Sequence, residues 1–247
     1  MAGGKLSARQ KMINLMYLVF ISMIAMTTSK EILSAFSLFN TKFENANELA
    51  VASNTTLLKG LEKQASEKPK DFGVAYNNAQ KVSSISNEFF TYLESQKSMI
   101  LNKGNYAEKF KEEGGLPAEE MDKGDALDEF WFTGDRLTKE GQAFVDRINK
   151  YKADINEVLG DDVAYNPAKE ILERRFSTAE VTNKDGKKQS WLDYNFQGFP
   201  AVASYTKLTA MQNDIKATEA NLYNVFLGNT VDEATSLKNY TAIVIPD

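Results

Sequence analysis

The sequence predicts a mainly α protein: one N-terminal transmembrane helix that continues into an exported antiparallel helical bundle carrying a small β-hairpin. Three observations predict it. Residues 12–29, MINLMYLVFISMIAMTTS, hold no formal charge, and eighteen helical residues cover about 27 Å of a hydrocarbon layer about 30 Å thick. Between Gly4 and Gly60 there is neither glycine nor proline, so nothing local stops a helix that starts in this stretch. Further on, apolar residues return at spacings of three and four in several long segments.

The N-terminal arm, residues 1–11, carries Lys5, Arg9 and Lys11 and no acid, whereas Lys30 on the far side is followed at once by Glu31. The positive excess keeps the arm inside and sends the remainder across. A cleaved signal peptide would show a shorter apolar core and a small-x-small site; Met26-Thr27-Thr28 and Ser34-Ala35-Phe36 are poor sites. Ser7-Ala-Arg-Gln10 has capping-box spacing, with Ser7 as N-cap. At 100° per residue Arg9, Asn14, Tyr17, Thr27 and Thr28 fall within about 140° of one another. A polar stripe on a spanning helix faces protein, because unpaired polar groups are costly in lipid.

The chain divides at residues 12–30 (span), 31–228 (bundle) and 229–247 (linker and strand). Beyond the span, Ile32, Phe36, Phe39, Phe43, Ala46, Ala50, Ser53 and Leu57 trace a seam of the coiled-coil type. Ser66-Glu-Lys-Pro-Lys-Asp71 breaks the rod. A second helix is expected over 71–102, with Ala75, Ala79, Val82, Ile85, Phe89 and Leu93 on one face. Residues 103–125 read as loop, broken by Gly104, Gly114, Gly115, Pro117 and Gly124. Leu137 to Leu159 reads as a third helix, and Asn183-Lys-Asp-Gly186 as the turn of a surface hairpin. Pro200 opens a last helix over Ala201 to about Phe226. Tyr240-Thr-Ala-Ile-Val-Ile-Pro246 reads as a strand, which needs a partner, so a β-rich domain is expected to follow.

Composition narrows the function. Four of the 29 basic residues lie in the first thirty positions, leaving 25 basic against 34 acidic residues in the exported part. A net −9 there argues against nucleic acid. The chain has no cysteine and no histidine, which removes Ser-His-Asp and Cys-His catalysis and the usual zinc ligands. Paired acids such as Glu112/Glu113 and Asp161/Asp162 sit on polar stretches, where adjacent carboxylates are solvated. No enzyme activity and no cofactor are expected.

The N-terminal run MAGGKLSARQKMINLMYLVFISMIAM, with SKEILSAFSLFN after it, resembles the GldM/PorM family, single-span motor subunits of type IX secretion and bacterial gliding. A weaker likeness lies at Trp191-Leu-Asp-Tyr-Asn-Phe-Gln-Gly-Phe-Pro200 and Met211-Gln-Asn-Asp214. The resemblance implies an inner-membrane protein with a cytoplasmic N-terminus and a periplasmic bundle. It also implies a homodimer whose spans sit inside a ring of a polytopic partner, GldL, with proton-motive force driving rotation, and distal ring components reached through β-rich domains that would follow. Related stator-like motors carry an aspartate within the span. Residues 1–30 hold no acid here, so the partner must supply the proton-carrying carboxylate. Arg9 is then the counter-charge, and Asn14 and Tyr17 are hydrogen-bonding groups along the same interface. The alternative is a passive membrane-anchored periplasmic scaffold.

Overall fold

The computed structural model describes the backbone of residues 8–134 and 136–240 and, within these, all side chains but those of residues 8, 24–29 and 231–240. One helix dominates: α1, Ala8–Glu67, is unbroken for 60 residues, about 90 Å at 1.5 Å per residue. Ser7, the expected N-cap, lies outside the described residues. The break expected at 66–71 is a single residue, Lys68, because Pro69 can open α2 at its first turn (Pro69–Lys103). The α2 face runs through Phe72, Ala75, Ala79, Val82, Ser86, Phe89, Leu93, Lys97 and Ile100, the expected stripe with Ile85 half-buried beside it.

The stretch expected as loop contains a short helix α3, Ala107–Glu113. It leads to α4, Asp125–Trp131, and to a small antiparallel pair, β1 (Phe132–Thr133) and β2 (Arg136–Leu137). Leu137 therefore ends a strand instead of opening a helix. Thr138 is the reason: its hydroxyl accepts the Gly141 N–H at 3.1 Å and donates to Phe130 O at 2.6 Å, capping α5 at Lys139–Leu159. α6, Asn166–Arg175, follows. The expected hairpin is present as β3 (Val181–Thr182) and β4 (Lys188–Gln189). Asn183 Oδ1 accepts the N–H groups of Asp185 and Lys187, and Gly186 takes φ +78°, a turn that asparagine and glycine favour.

A further helix, α7 (Trp191–Phe196), was not foreseen; Ser190 caps it by accepting the Asp193 N–H. Gly198 then takes φ +73° and donates its N–H to the Asp128 carboxylate at 3.0 Å. The WLDYNFQGFP motif is thus an elbow that aims α8, Ala201–Tyr240. The last helix, expected to end near Phe226, runs on through Gly228, whose missing side chain faces open space, so glycine costs propensity there without breaking the helix. Residues 229–240 are helix rather than linker, and the strand expected over 240–246 lies, from residue 241, outside the described residues.

α8 is the central element, buried on nearly all sides from Ala201 to about Phe226 between α1, α2 and α6. The expectation of an antiparallel bundle holds only in part. α2 runs against both α1 and α8: Lys97 meets Glu44 and Gln212, whereas Asn87 meets Lys216. α1 and α8, however, are parallel, because Asn47 meets Thr209 and Asn54 meets Lys216 at one constant offset, 162 residues. Three mutually touching helices cannot all be antiparallel. Around this core, Trp131, Phe144, Phe196 and Trp191 pack ring on ring, with Trp131 and Phe144 centroids 4.5 Å apart, as expected of residues serving the core.

Candidate functional site

The N-terminal part of α1 stands apart from the bundle. From Arg9 to Met23 every side chain is exposed, including Met12, Leu15, Met16, Leu18, Phe20, Ile21 and Met23, each more than 60 % accessible. Burial against the rest of the chain begins at Leu33. A stripe of large apolar side chains on all sides of a helix needs a covering medium, protein or lipid. Among the described residues no helix is long and apolar enough to cross a membrane. Of the expected span, the side chains of 24–29 lie outside the described residues, Thr27 and Thr28 of the polar stripe with them.

Arg9, Asn14 and Tyr17 all lie on this exposed section of one continuous helix. The helical geometry keeps the three within about 140° around the axis, and Arg9 and Tyr17 about 12 Å apart along it. They share a side and are not gathered into one pocket. Among the described residues no carboxylate pairs with Arg9.

Where the exposed section ends, the bundle grips α1. Lys30 Nζ donates to Glu119 Oε2 at 2.6 Å, and this bond with its ionic attraction holds the Glu119 carboxyl below the usual carboxylate range. Lys109 pairs with Glu120 beside it. Together with Ser34, Ser37 and Pro117 these residues border a groove of about 650 Å³.

The buried face of α1 differs from the expected seam by one position. Leu33, Asn40, Asn47, Asn54 and Leu61 are buried, one every seven residues, and the three asparagines point into α8. Asn47 Nδ2 donates to Thr209 O (3.2 Å), and Asn54 Nδ2 donates to Lys216 O (2.9 Å) and Glu219 Oε2 (3.1 Å). Thr209 donates its hydroxyl to Asn40 Oδ1 (2.7 Å), and Asn213 Nδ2 donates to Asn47 Oδ1 (3.1 Å). Of residues 211–214, part of the resemblance, Asn213 belongs to this polar layer and Gln212 faces α2. Of the expected seam, Phe36, Phe43, Ala46, Ala50 and Leu57 are half-buried, while Ile32, Phe39 and Ser53 are exposed. Ile32, Phe39 and Leu49 are exposed and, with half-buried Ala35 and Ala46 between them, mark a second, outward line on α1 at heptad spacing that Lys42 interrupts.

Two buried lysines tie α1, α2 and α8 together. Lys97 Nζ donates to Glu94 Oε2 (3.0 Å) and Gln212 Oε1 (3.2 Å), with Glu44 Oε1 3.8 Å away. Lys216 Nζ donates to Asn87 Oδ1 (2.7 Å) and Glu219 Oε2 (3.0 Å), and Tyr223 donates to Glu219 Oε1 (2.6 Å). Sequence periodicity missed all of these, although asparagine at 40, 47 and 54 was a visible signal.

Burial also pushes the Tyr151, Tyr205 and Tyr223 phenols above their usual range. Above pH 10 the unfolded chain releases these protons and the folded chain keeps them, so stability falls as pH rises. With all three contributing, the loss reaches about 4 kcal/mol per pH unit at its steepest. Thermal unfolding followed between pH 9 and 11.5, with tyrosinate absorbance read in parallel, checks this: the absorbance of these three rises only with unfolding.

The geometry defines a class first: a bundle of long helices with one helix projecting from one end, carrying exposed apolar side chains, and a parallel central helix leaving at the other. A sequence profile of the GldM N-terminal domain matches residues 31–229, most of the bundle, and the chain belongs to the GldM family, which takes part in gliding motility and type IX secretion. No curated protein matches the chain at a significant level.

Proposed function

We propose that the chain is an inner-membrane motor subunit that, with a polytopic GldL-like partner, converts proton-motive force into rotation delivered to the periplasm. The observation that carries this reading is the continuity of α1: the exposed apolar section and the buried seam are one helix without a break. Residues 12–30 cross the membrane, the arm before them is cytoplasmic, and the bundle is periplasmic. Arg9 holds a partner carboxylate ionised until a proton displaces it, and Asn14 and Tyr17 bond along the same contact. Two copies pair through the outward line of α1, and distal ring components are met beyond α8.

An uncoupler tests the motor reading. Secretion and gliding stop within seconds of gradient collapse if the subunit is driven, and persist if it is a passive scaffold. The dimer has its own test, since the chain contains no cysteine. Cysteine placed at Leu49 joins two copies on mild oxidation, whereas cysteine at Val74, exposed on α2, leaves them single. Equal yields at both positions would reject the α1 interface.

A further inference from the structure

We propose that the asparagine ladder between α1 and α8 is a register-locked joint through which motion entering along α1 passes to α8, the helix that leaves the bundle. The inference rests on the motor reading above and deepens it. α1 enters from one end, α8 departs from the other, and the two are parallel and overlap side by side. The covalent path between them runs back along α2 and through residues 104–200. The direct path crosses the α1–α8 interface.

That interface is built to resist slip. Burial of apolar surface is non-directional and holds two helices together without fixing their axial position. Amide bonds aimed at carbonyls fix both position and roll. The rung from Asn47 to the Thr209 carbonyl recurs seven residues later from Asn54 to the Lys216 carbonyl. Asn40 receives Thr209, Asn47 receives Asn213, and the Phe36 carbonyl receives the Thr206 hydroxyl at 3.1 Å. Rolling α1 by one residue turns every rung about 100° out of the seam. Sliding it breaks the bonds after about 1.5 Å, and the next equivalent register is about 10 Å away. A bundle needing only stability would continue the leucines seen at 33 and 61. Buried asparagine at heptad positions specifies register at a cost in stability.

The test uses the full chain assembled with its membrane partner. Leucine replaces the two upper rungs (Asn40→Leu with Asn47→Leu), and a second variant places a cysteine pair across the central rung (Asn47→Cys with Asn213→Cys). Spin labels carried on noncanonical residues at exposed Lys59 and Asn224 report the spread of α1–α8 distances without using cysteine or the proposed α1–α1 contact. The leucine variant is expected to assemble, to show a broadened distance distribution, and to lose about fivefold or more of secretion. The cysteine pair is expected to behave likewise when reduced, and to regain a narrow distribution and its output when oxidised. Unbroadened distances, or broadened distances with undiminished output, overturn the proposal. Should the leucine variant fail to fold, equal output of the cysteine pair in both redox states overturns it alone. An unmodified chain indifferent to the uncoupler would instead reject the motor reading, and the distances would still decide whether the ladder sets register.

Discussion

If Arg9 answers a partner carboxylate as proposed, replacing it with alanine is expected to lower secretion and gliding by about tenfold or more while leaving the bundle folded. The magnitude follows from charge. Removing one partner of a desolvated ion pair costs about 2–5 kcal/mol, and 1.4 kcal/mol is already a factor of ten. The stability of the bundle is untouched because Arg9 is exposed and lies well before Leu33, where burial begins. Arg9→Lys keeps the charge but loses the planar fork that grips a carboxylate with two bonds, so its output falls between wild type and alanine. Co-purification of the polytopic partner and a motility assay read both steps. Full output and full assembly in the alanine variant would remove Arg9 from the mechanism. Replacing Tyr17 by Phe is expected to act in the same direction and more weakly, since it removes one neutral hydrogen-bonding group.

The elements that alternate apolar and polar faces cleanly were legible. α2 and α5 bury the stripes their periodicity draws, and the Asn183–Gly186 turn lies where expected, with Gly186 at positive φ. The α1 seam was displaced by one position for a physical reason. A reading by hydrophobicity selects Ile32, Phe36, Phe39 and Phe43, but α8 offers α1 a surface of hydroxyls, amides and carbonyls, and asparagine satisfies it better than phenylalanine. α8 itself hid its central place for the same reason. Thr209, Gln212, Lys216, Thr218 and Glu219 look solvent-facing in sequence, yet all are buried, most of them bonded to α1, α2 or α6. Of the candidate site, the exposed residues Arg9, Asn14 and Tyr17 could be placed on one side by helical geometry alone. The parallel course of α1 and α8 could not, because it depends on an elbow that α4, α7 and Gly198 assemble from distant positions.

Lys216→Met is expected to destabilise the bundle by about 3–5 kcal/mol. The Lys216 and Glu219 side chains are 5 % and 3 % accessible, and the pair is 3.0 Å apart under the Phe90 ring, with Asn87, Asn54 and Tyr223 completing the set. Without the ammonium, the Glu219 carboxylate keeps only the Tyr223 hydroxyl and the Asn54 amide, too little to offset a buried charge. For a chain of this size the loss lowers Tm by roughly 6–20 °C, measurable by helical ellipticity of the detergent-solubilised full chain. Adding Glu219→Gln removes the orphaned charge, so the double variant is expected to regain most of the loss. That recovery separates a buried pair from two independent contributions, which would simply add. A double variant no more stable than Lys216→Met would show that Glu219 is not the charge the lysine answers. The same pair forms the α8 side of the Asn54 rung, so its loss is also expected to loosen the end of the α1–α8 joint nearest the exit of α8 and broaden distances there first.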